Sequence, residues 1–122
     1  MPSLSLFDND PHVAAFPRGH RFFDAGDDGD AMYVVIEGEV ELSLAGKRLE
    51  VVGNGGFFGE MALLDHKARS ATATARTDVR AVQIDQRRFL YLIQNTPFFA
   101  IEVMTVMSDR LRHADEMIKG GG

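Results

Sequence analysis

The sequence predicts a mainly β domain, a sandwich or barrel, followed by C-terminal helices. Three observations carry this. Between His12 and Ile84, short apolar or alternating runs are separated by Gly and Asp turns at regular intervals. From Asp85 onward the pattern changes to helix caps and a four-three spacing of apolar residues. The chain has 122 residues, 45% hydrophobic and 25% charged, which suits a single domain, 1–122, able to bury its own core.

The elements follow in order. Residues 1–12 hold Pro2, Asp8, Asn9, Asp10 and Pro11 and read as a loose leader or short helical turn. His20 to Phe23 is a short strand. Ala25-Gly26-Asp27-Asp28-Gly29-Asp30 is a turn, because Gly and Asp tolerate the angles of a tight reversal. Met32 to Glu37 is rich in β-branched residues and reads as a buried strand, closed by Gly38. Val40 to Leu44 alternates apolar and polar, Ala45-Gly46-Lys47 closes a hairpin, and Arg48 to Val52 resumes the alternation. After Gly53-Asn54-Gly55-Gly56, Glu60 to Leu64 reads as one helical turn, with Ser70 to Ala75 and Val79 to Ile84 as strands. The β part thus spans about 13–84 and the helices about 86–119.

Asp85 caps a first helix, Gln86 to Gln94. Asn95-Thr96-Pro97 breaks it, and Pro97 suits the first turn of the next. There Ala100, Met104, Met107, Leu111, Ala114 and Ile118 form a seven-residue stripe. Two partners suit that stripe: the barrel of the same chain, or a second subunit in a homodimer. Gly120-Gly121-Gly122 is expected to end the helix in a flexible tail.

Composition excludes several functions. With no cysteine, there are no disulfides, thiolate nucleophiles or cysteine-held metals. A net charge of −5 weighs against a nucleic-acid surface, which needs clustered basic residues, and no DNA-binding helix-turn-helix is expected. No basic-then-apolar leader and no long apolar run is seen, so neither secretion nor a membrane partner is expected. His12, His20, His66 and His113 are scattered without metal-ligand spacing, and Asp27, Asp28 and Asp30 lack the distal glutamate of a calcium loop. A cytoplasmic, non-enzymatic protein without a cofactor is the expectation.

The informative segment is Gly53 to Ala75. Its glycines do not fit a dinucleotide fingerprint, because Phe58 stands where the third glycine belongs. Gly59 lets the backbone approach a ligand closely. Glu60, Met61 and Ala62 open a helical turn, whose free N–H groups favour an anion. Arg69 lies at the mouth of the next strand, and a guanidinium offers paired donors to a phosphate; Ser70 adds a hydroxyl. A carboxylate such as Glu60 repels a phosphate unless the ligand also carries a hydroxyl that donates to it. The set therefore fits a sugar phosphate.

Phe58-Gly59-Glu60-Met61-Ala62-Leu63-Leu64, four residues, then Arg69-Ser70-Ala71-Thr72 resembles the phosphate-binding cassette of the cyclic-nucleotide-binding domain family, of the catabolite activator protein and protein kinase A regulatory subunit type. Gly26 to Gly38 is similar to the family's early turn and strand, and Phe89 to Leu111 to its closing helices. The resemblance implies a double-stranded β-helix, a jelly-roll-like β-roll flanked by helices, with C-terminal lid helices. It implies a cyclic nucleotide as ligand, cAMP ahead of cGMP. Glu60 would hold the ribose 2′-OH, Arg69 would neutralise the cyclic phosphate, and Ser70 would assist it. Backbone N–H groups of Gly59, Met61, Ala62 and Ala71 would cradle the phosphate and sugar oxygens. The base would stack against aliphatic barrel residues beneath the C-terminal helix, and binding would signal to an effector protein that the sequence does not name. Two alternatives stay open: a degenerate module that only makes protein contacts, and a cupin-like enzyme, against which the scattered histidines argue.

Overall fold

The computed structural model describes residues 7, 9–65 and 67–121, with side chains as far as His113. The chain divides into two compact units, 1–89 and 90–122.

The first unit holds eight strands: β1 (Val13–Phe16), β2 (Arg21–Phe23), β3 (Ala31–Glu37), β4 (Val40–Leu44), β5 (Lys47–Val52), β6 (Phe57–Phe58), β7 (Thr72–Ala75) and β8 (Val79–Asp85). A short helix, α1 (Met61–Asp65), lies between β6 and β7. The strands form two antiparallel four-stranded sheets, ordered β1-β8-β3-β6 and β2-β7-β4-β5. This is the mainly β roll the sequence predicted. The core joins the two sheets. Val35, Phe58, Val79 and Ala81 come from the first, and Val40, Val52, Ala73 and Ala75 from the second. Each such buried side chain contributes on the order of 1.5–3 kcal/mol if large, less for alanine. Alternation along β3 and β8 sends Met32, Val34, Val82 and Ile84 to the other face of the first sheet, where they are also fully buried. That double burial explains why β3 reads as a continuous apolar run rather than an alternating one.

Turns are where the sequence placed them. Ala45 (φ 52) and Gly46 (φ 80) form the two-residue reversal between Leu44 and Lys47, a geometry whose twist suits a hairpin. Gly53 to Gly56 is a structural turn. The Gly55 N–H donates to the Val35 carbonyl at 2.7 Å, and the Val35 N–H to the Gly56 carbonyl at 2.8 Å, which extends the β3–β6 pairing.

Three expectations change. Ser70 to Ala75 narrows to Thr72–Ala75, because pairing with β4 begins at Thr72. Two strands were not anticipated: Val13–Phe16 pairs with β8, and Phe57–Phe58 pairs with Tyr33 and Val34. The leader is anchored at least from Phe7, which is fully buried. Asp10 accepts a hydrogen bond from the Arg88 guanidinium, and Arg88 in turn lies 5.4 Å over the Phe7 ring. Burial pushes the Asp10 carboxyl up. The Arg88 hydrogen bond, the His12 amide and the nearby positive charges outweigh it and hold the group below its ordinary 3.8. A carboxyl lowered on folding stabilises the protein above the unfolded value and loses that contribution as pH falls through the folded one. Asp10→Asn should therefore cost about 1–2 kcal/mol at pH 7. That difference should shrink in urea titrations as pH falls below the ordinary value of 3.8 and vanish only below the lowered folded value. A gap that persists in acid would show that charge is not its cause.

At the C-terminal side, α2 (Gln86–Asn95) begins as predicted, with the Arg88 N–H donating to the Asp85 carboxylate at 2.9 Å. The division between the units falls within it, after Phe89. In the second unit α3 spans Pro97–Gly121. It therefore runs beyond 119 and through two of the three glycines expected as a tail. Glycine costs a helix about 1 kcal/mol but does not clash with it, so bonds propagated from earlier turns carry through. The predicted stripe is not the face buried within the chain. Met104 is 58% and Leu111 67% exposed, whereas Phe99 and Val103 are buried. The buried stripe starts one residue earlier, a rotation of about 100° about the axis, and spacing alone does not choose between two apolar stripes. The side chains of Ala114 and Ile118 lie outside the described residues. No single helix among the described residues is long and apolar enough to cross a membrane.

Candidate functional site

Every residue singled out for ligand binding lies in the first unit, along the connection from β6 through α1 to β7. Gly59 and Glu60 follow β6. Met61 and Ala62 open α1, and Arg69, Ser70 and Ala71 precede β7.

Arg69 is the centre of the candidate site. Two of its backbone hydrogen bonds dock it on the glycine–aspartate turn: the Gly26 N–H donates to the Arg69 carbonyl at 2.8 Å, and the Arg69 N–H to the Asp27 carbonyl at 2.8 Å. The turn is itself tied by the Asp24 N–H donating to the Asp27 carboxylate at 2.8 Å. The side chain runs inward and is only 8% exposed. Nη1 donates to the Gly59 carbonyl at 2.8 Å and Nη2 to the Ala31 carbonyl at 2.7 Å. One face of the guanidinium lies 4.0 Å from the centre of the Phe23 ring. Nε is buried and donates to nothing among the described residues.

The space is made by glycines. A Cβ at Gly29 would stand 2.2 Å from Arg69 Nε, and one at Gly59 2.7 Å from Nη1. Gly59 also has φ 80, which glycine adopts without the penalty other residues carry.

Electrostatics complete the picture. Burial lowers the Arg69 guanidinium below its ordinary value, while Tyr33, Asp30, Glu60 and Asp27 act against that fall. Arginine remains protonated at neutral pH even so. The ion pairs among the described residues do not include Arg69. Its direct partners are two carbonyls and a ring, all neutral. A buried cation held by neutral groups is costly unless an anion joins it. Burial likewise raises the Tyr33 phenol, with Asp30 adding to the rise and Arg69 opposing it.

The other predicted residues fall as follows. Glu60 is 5% exposed, and its carbonyl accepts from the Leu63 N–H at 3.0 Å as α1 starts. Ala62 is buried and Met61 is 45% exposed. Ser70 is exposed and Ala71 half-buried. Thr72 accepts a hydrogen bond from the Ala25 N–H at 3.0 Å.

Sequence reasoning missed Phe23, Gly29 and the Ala31 carbonyl. The interior beside Arg69 is also aromatic where an aliphatic lining was expected. Phe22 meets Tyr33 and Phe58 edge-on at 5.2 Å, and Tyr33 stacks on Phe58 at 5.1 Å. The bulky, partly inward residues of β2 and β3 signalled this, but only the fold shows that they converge.

The model of the cyclic nucleotide-binding domain matches residues 4–96. The CRP-like cAMP-activated global transcriptional regulator of Mycobacterium tuberculosis is 33% identical over 82% of this chain and 47% of its own length. The cyclic AMP receptor protein of Thermus thermophilus is 38% identical over 82% and 49%. The crystal structure of the Thermus thermophilus catabolite activator protein superposes with a TM-score of 0.78, at 35% identity over 88% of this chain and 53% of that one. The chain thus spans about half the length of the relatives it matches. With that coverage and the shared β-roll and C-terminal helices, the chain belongs to the cyclic nucleotide-binding domain family.

Proposed function

We propose that the protein is a cytoplasmic, non-enzymatic sensor that binds a cyclic nucleotide, cAMP in preference to cGMP, and that its two units serve one ligand-binding domain. The observation that carries this reading is Arg69: a buried guanidinium, partnered by neutral groups, with Nε–H lacking an acceptor. A phosphate supplies both the acceptor and the counter-charge. Glu60, buried at the start of α1, takes the ribose 2′-OH. The amides of Gly59, Met61, Ala62 and Ala71 face the phosphate and sugar oxygens, and Ser70 assists. Tyr33 and Leu42, half-buried on the inner faces, pack against the base. The preference for cAMP rests on relatives named for it. Ligand that binds one conformation better than another shifts the protein toward it, and this is how binding reaches an effector.

Calorimetric titration with cAMP and cGMP tests the proposal. Saturable binding is expected, with the nucleotide recovered unaltered. At a hundredfold excess over Kd, stability should rise by about 2.7 kcal/mol. Neither heat nor a melting shift with either nucleotide would overturn it and leave a module devoted to protein contacts.

The exposed Ile101, Met104 and Leu111 on α3 support one further part of the reading, a homodimer through this helix. Their three- and seven-residue separations suit a helix pair. Sedimentation of Met104→Glu against the parent checks it, and an unchanged dimer, or a monomeric parent, would exclude this face.

A further inference from the structure

We propose that Phe23 is a positioning residue for the cation of the ligand site, acting as an uncharged platform that fixes the plane of the Arg69 guanidinium. The inference rests on the cyclic-nucleotide reading above and adds to it a residue outside the matched cassette.

The placement of Phe23 begins with a break in register. In the β2–β7 ladder Arg21 pairs with Thr74 and Phe23 with Ala73, two steps on one strand against one on the other. A regular strand would send Phe22 and Phe23 to opposite faces. The irregularity brings both against the core, where both rings meet Phe58, at 5.2 and 5.9 Å. Bulges re-aim side chains in this way. Phe23 is further braced by Tyr33 at 6.3 Å, so its ring cannot swing without disturbing the aromatic cluster.

That ring is what the guanidinium lies on, at 4.0 Å. The Ala31 and Gly59 carbonyls restrain rotation within the guanidinium plane. They do little against tilt out of it, which the ring blocks on one side. The chemistry of the platform matters as much as its shape. A carboxylate in its place would hold the arginine as firmly but neutralise it and compete with an incoming phosphate. A π-face attracts a cation through its quadrupole and leaves its N–H groups undiverted. Gly59 makes the approach possible, since a Cβ there would stand 3.3 Å from the Phe23 ring as well as 2.7 Å from Nη1.

The test compares Phe23→Leu and Phe23→Tyr in the full chain by cAMP titration. Nitrogen-15 NMR of the Arg69 Nε–H is recorded in parallel, its signal assigned through Arg69→Lys. Leucine keeps an apolar side chain but removes the ring. It should weaken cAMP binding about tenfold and move the Nε–H resonance out of the ring's shielding, with the melting transition still cooperative. Tyrosine should restore both affinity and resonance. If the parent binds cAMP and Phe23→Leu binds it equally well, the platform is refuted while the cyclic-nucleotide reading stands. If Phe23→Leu loses affinity but the Nε–H signal stays where it was, Phe23 serves packing alone and the platform is again refuted. A parent that binds no cyclic nucleotide overturns the wider reading and this one with it.

Discussion

Arg69→Ala is expected to weaken cAMP binding by roughly 2–5 kcal/mol, the range for a buried, hydrogen-bonded charge pair that loses one member. That corresponds to roughly 30-fold to several thousandfold in Kd. The expectation follows from the neutral company the cation keeps. Carbonyls at 2.7 and 2.8 Å and an aromatic face hold the guanidinium in place without discharging it. Arg69→Lys should fare little better, because a point ammonium cannot reach two carbonyls and still present a flat edge to a phosphate. Gly29→Ala offers a separate route to the same defect. Its Cβ would lie 2.2 Å from Nε and 2.5 Å from the central carbon of the guanidinium, so the arginine must leave its seat while remaining in the chain. Arg69→Ala and Gly29→Ala should stay folded, since relief of the desolvation cost of a buried cation offsets the lost carbonyl contacts. Calorimetry of the three variants beside the parent decides the matter. Affinity within threefold for Arg69→Ala would remove the guanidinium from any role in ligand capture.

Much of this arrangement was legible in the residues, and what escaped has a common cause. Strands β3, β4, β5 and β8 announce themselves through β-branched runs or strict alternation, and the Asp85 cap through its hydroxyl-free but acceptor-bearing side chain ahead of an apolar period. Val13–Phe16 does not, because its two central alanines lack a β preference. It is a strand because β8 offers a partner, and that information lies some seventy residues along the chain. Phe57–Phe58 is too short for any periodicity to register. The cassette residues could be singled out because they lie close together in one short motif. Phe23 and the Ala31 carbonyl were not, since they reach Arg69 only after the roll closes and a local register break turns one phenylalanine inward. On α3 periodicity was present but two candidate faces shared it; burial within the chain took the one starting at Phe99 and left Met104 and Leu111 exposed.

The largest loss of stability is expected at a residue distant from that motif, Gly38. Here the chain leaves β3 in one sheet for β4 in the other, while residues 76–78 cross in the opposite direction from β7 to β8. Hydrogen bonds stitch the two crossings together. The Glu39 N–H donates to Thr77 Oγ1 at 3.0 Å and the Arg76 N–H to the Glu39 carbonyl at 2.8 Å, while the Gly38 N–H ties the corner to the 53–56 turn through Asn54 Oδ1 at 2.9 Å. Gly38 has φ 103, beyond the small left-handed region that other residues tolerate. A Cβ there would stand 2.3 Å from the Asp78 carbonyl oxygen and 3.1 Å from the Val79 Cα, both backbone atoms that cannot move without opening the corner. Gly38→Ala combines dihedral strain with this clash and should cost about 3–5 kcal/mol, at the upper end for a single substitution. Gly46→Ala separates the two contributions. It has φ 80 with nothing within 4 Å of its hypothetical Cβ, so it should lose only about 1 kcal/mol from the dihedral alone. Urea unfolding of both variants gives the comparison, with the midpoint falling far more for Gly38→Ala. Equal losses would mean that the corner yields at no cost. The two crossings would then not be what holds the sheets around Arg69.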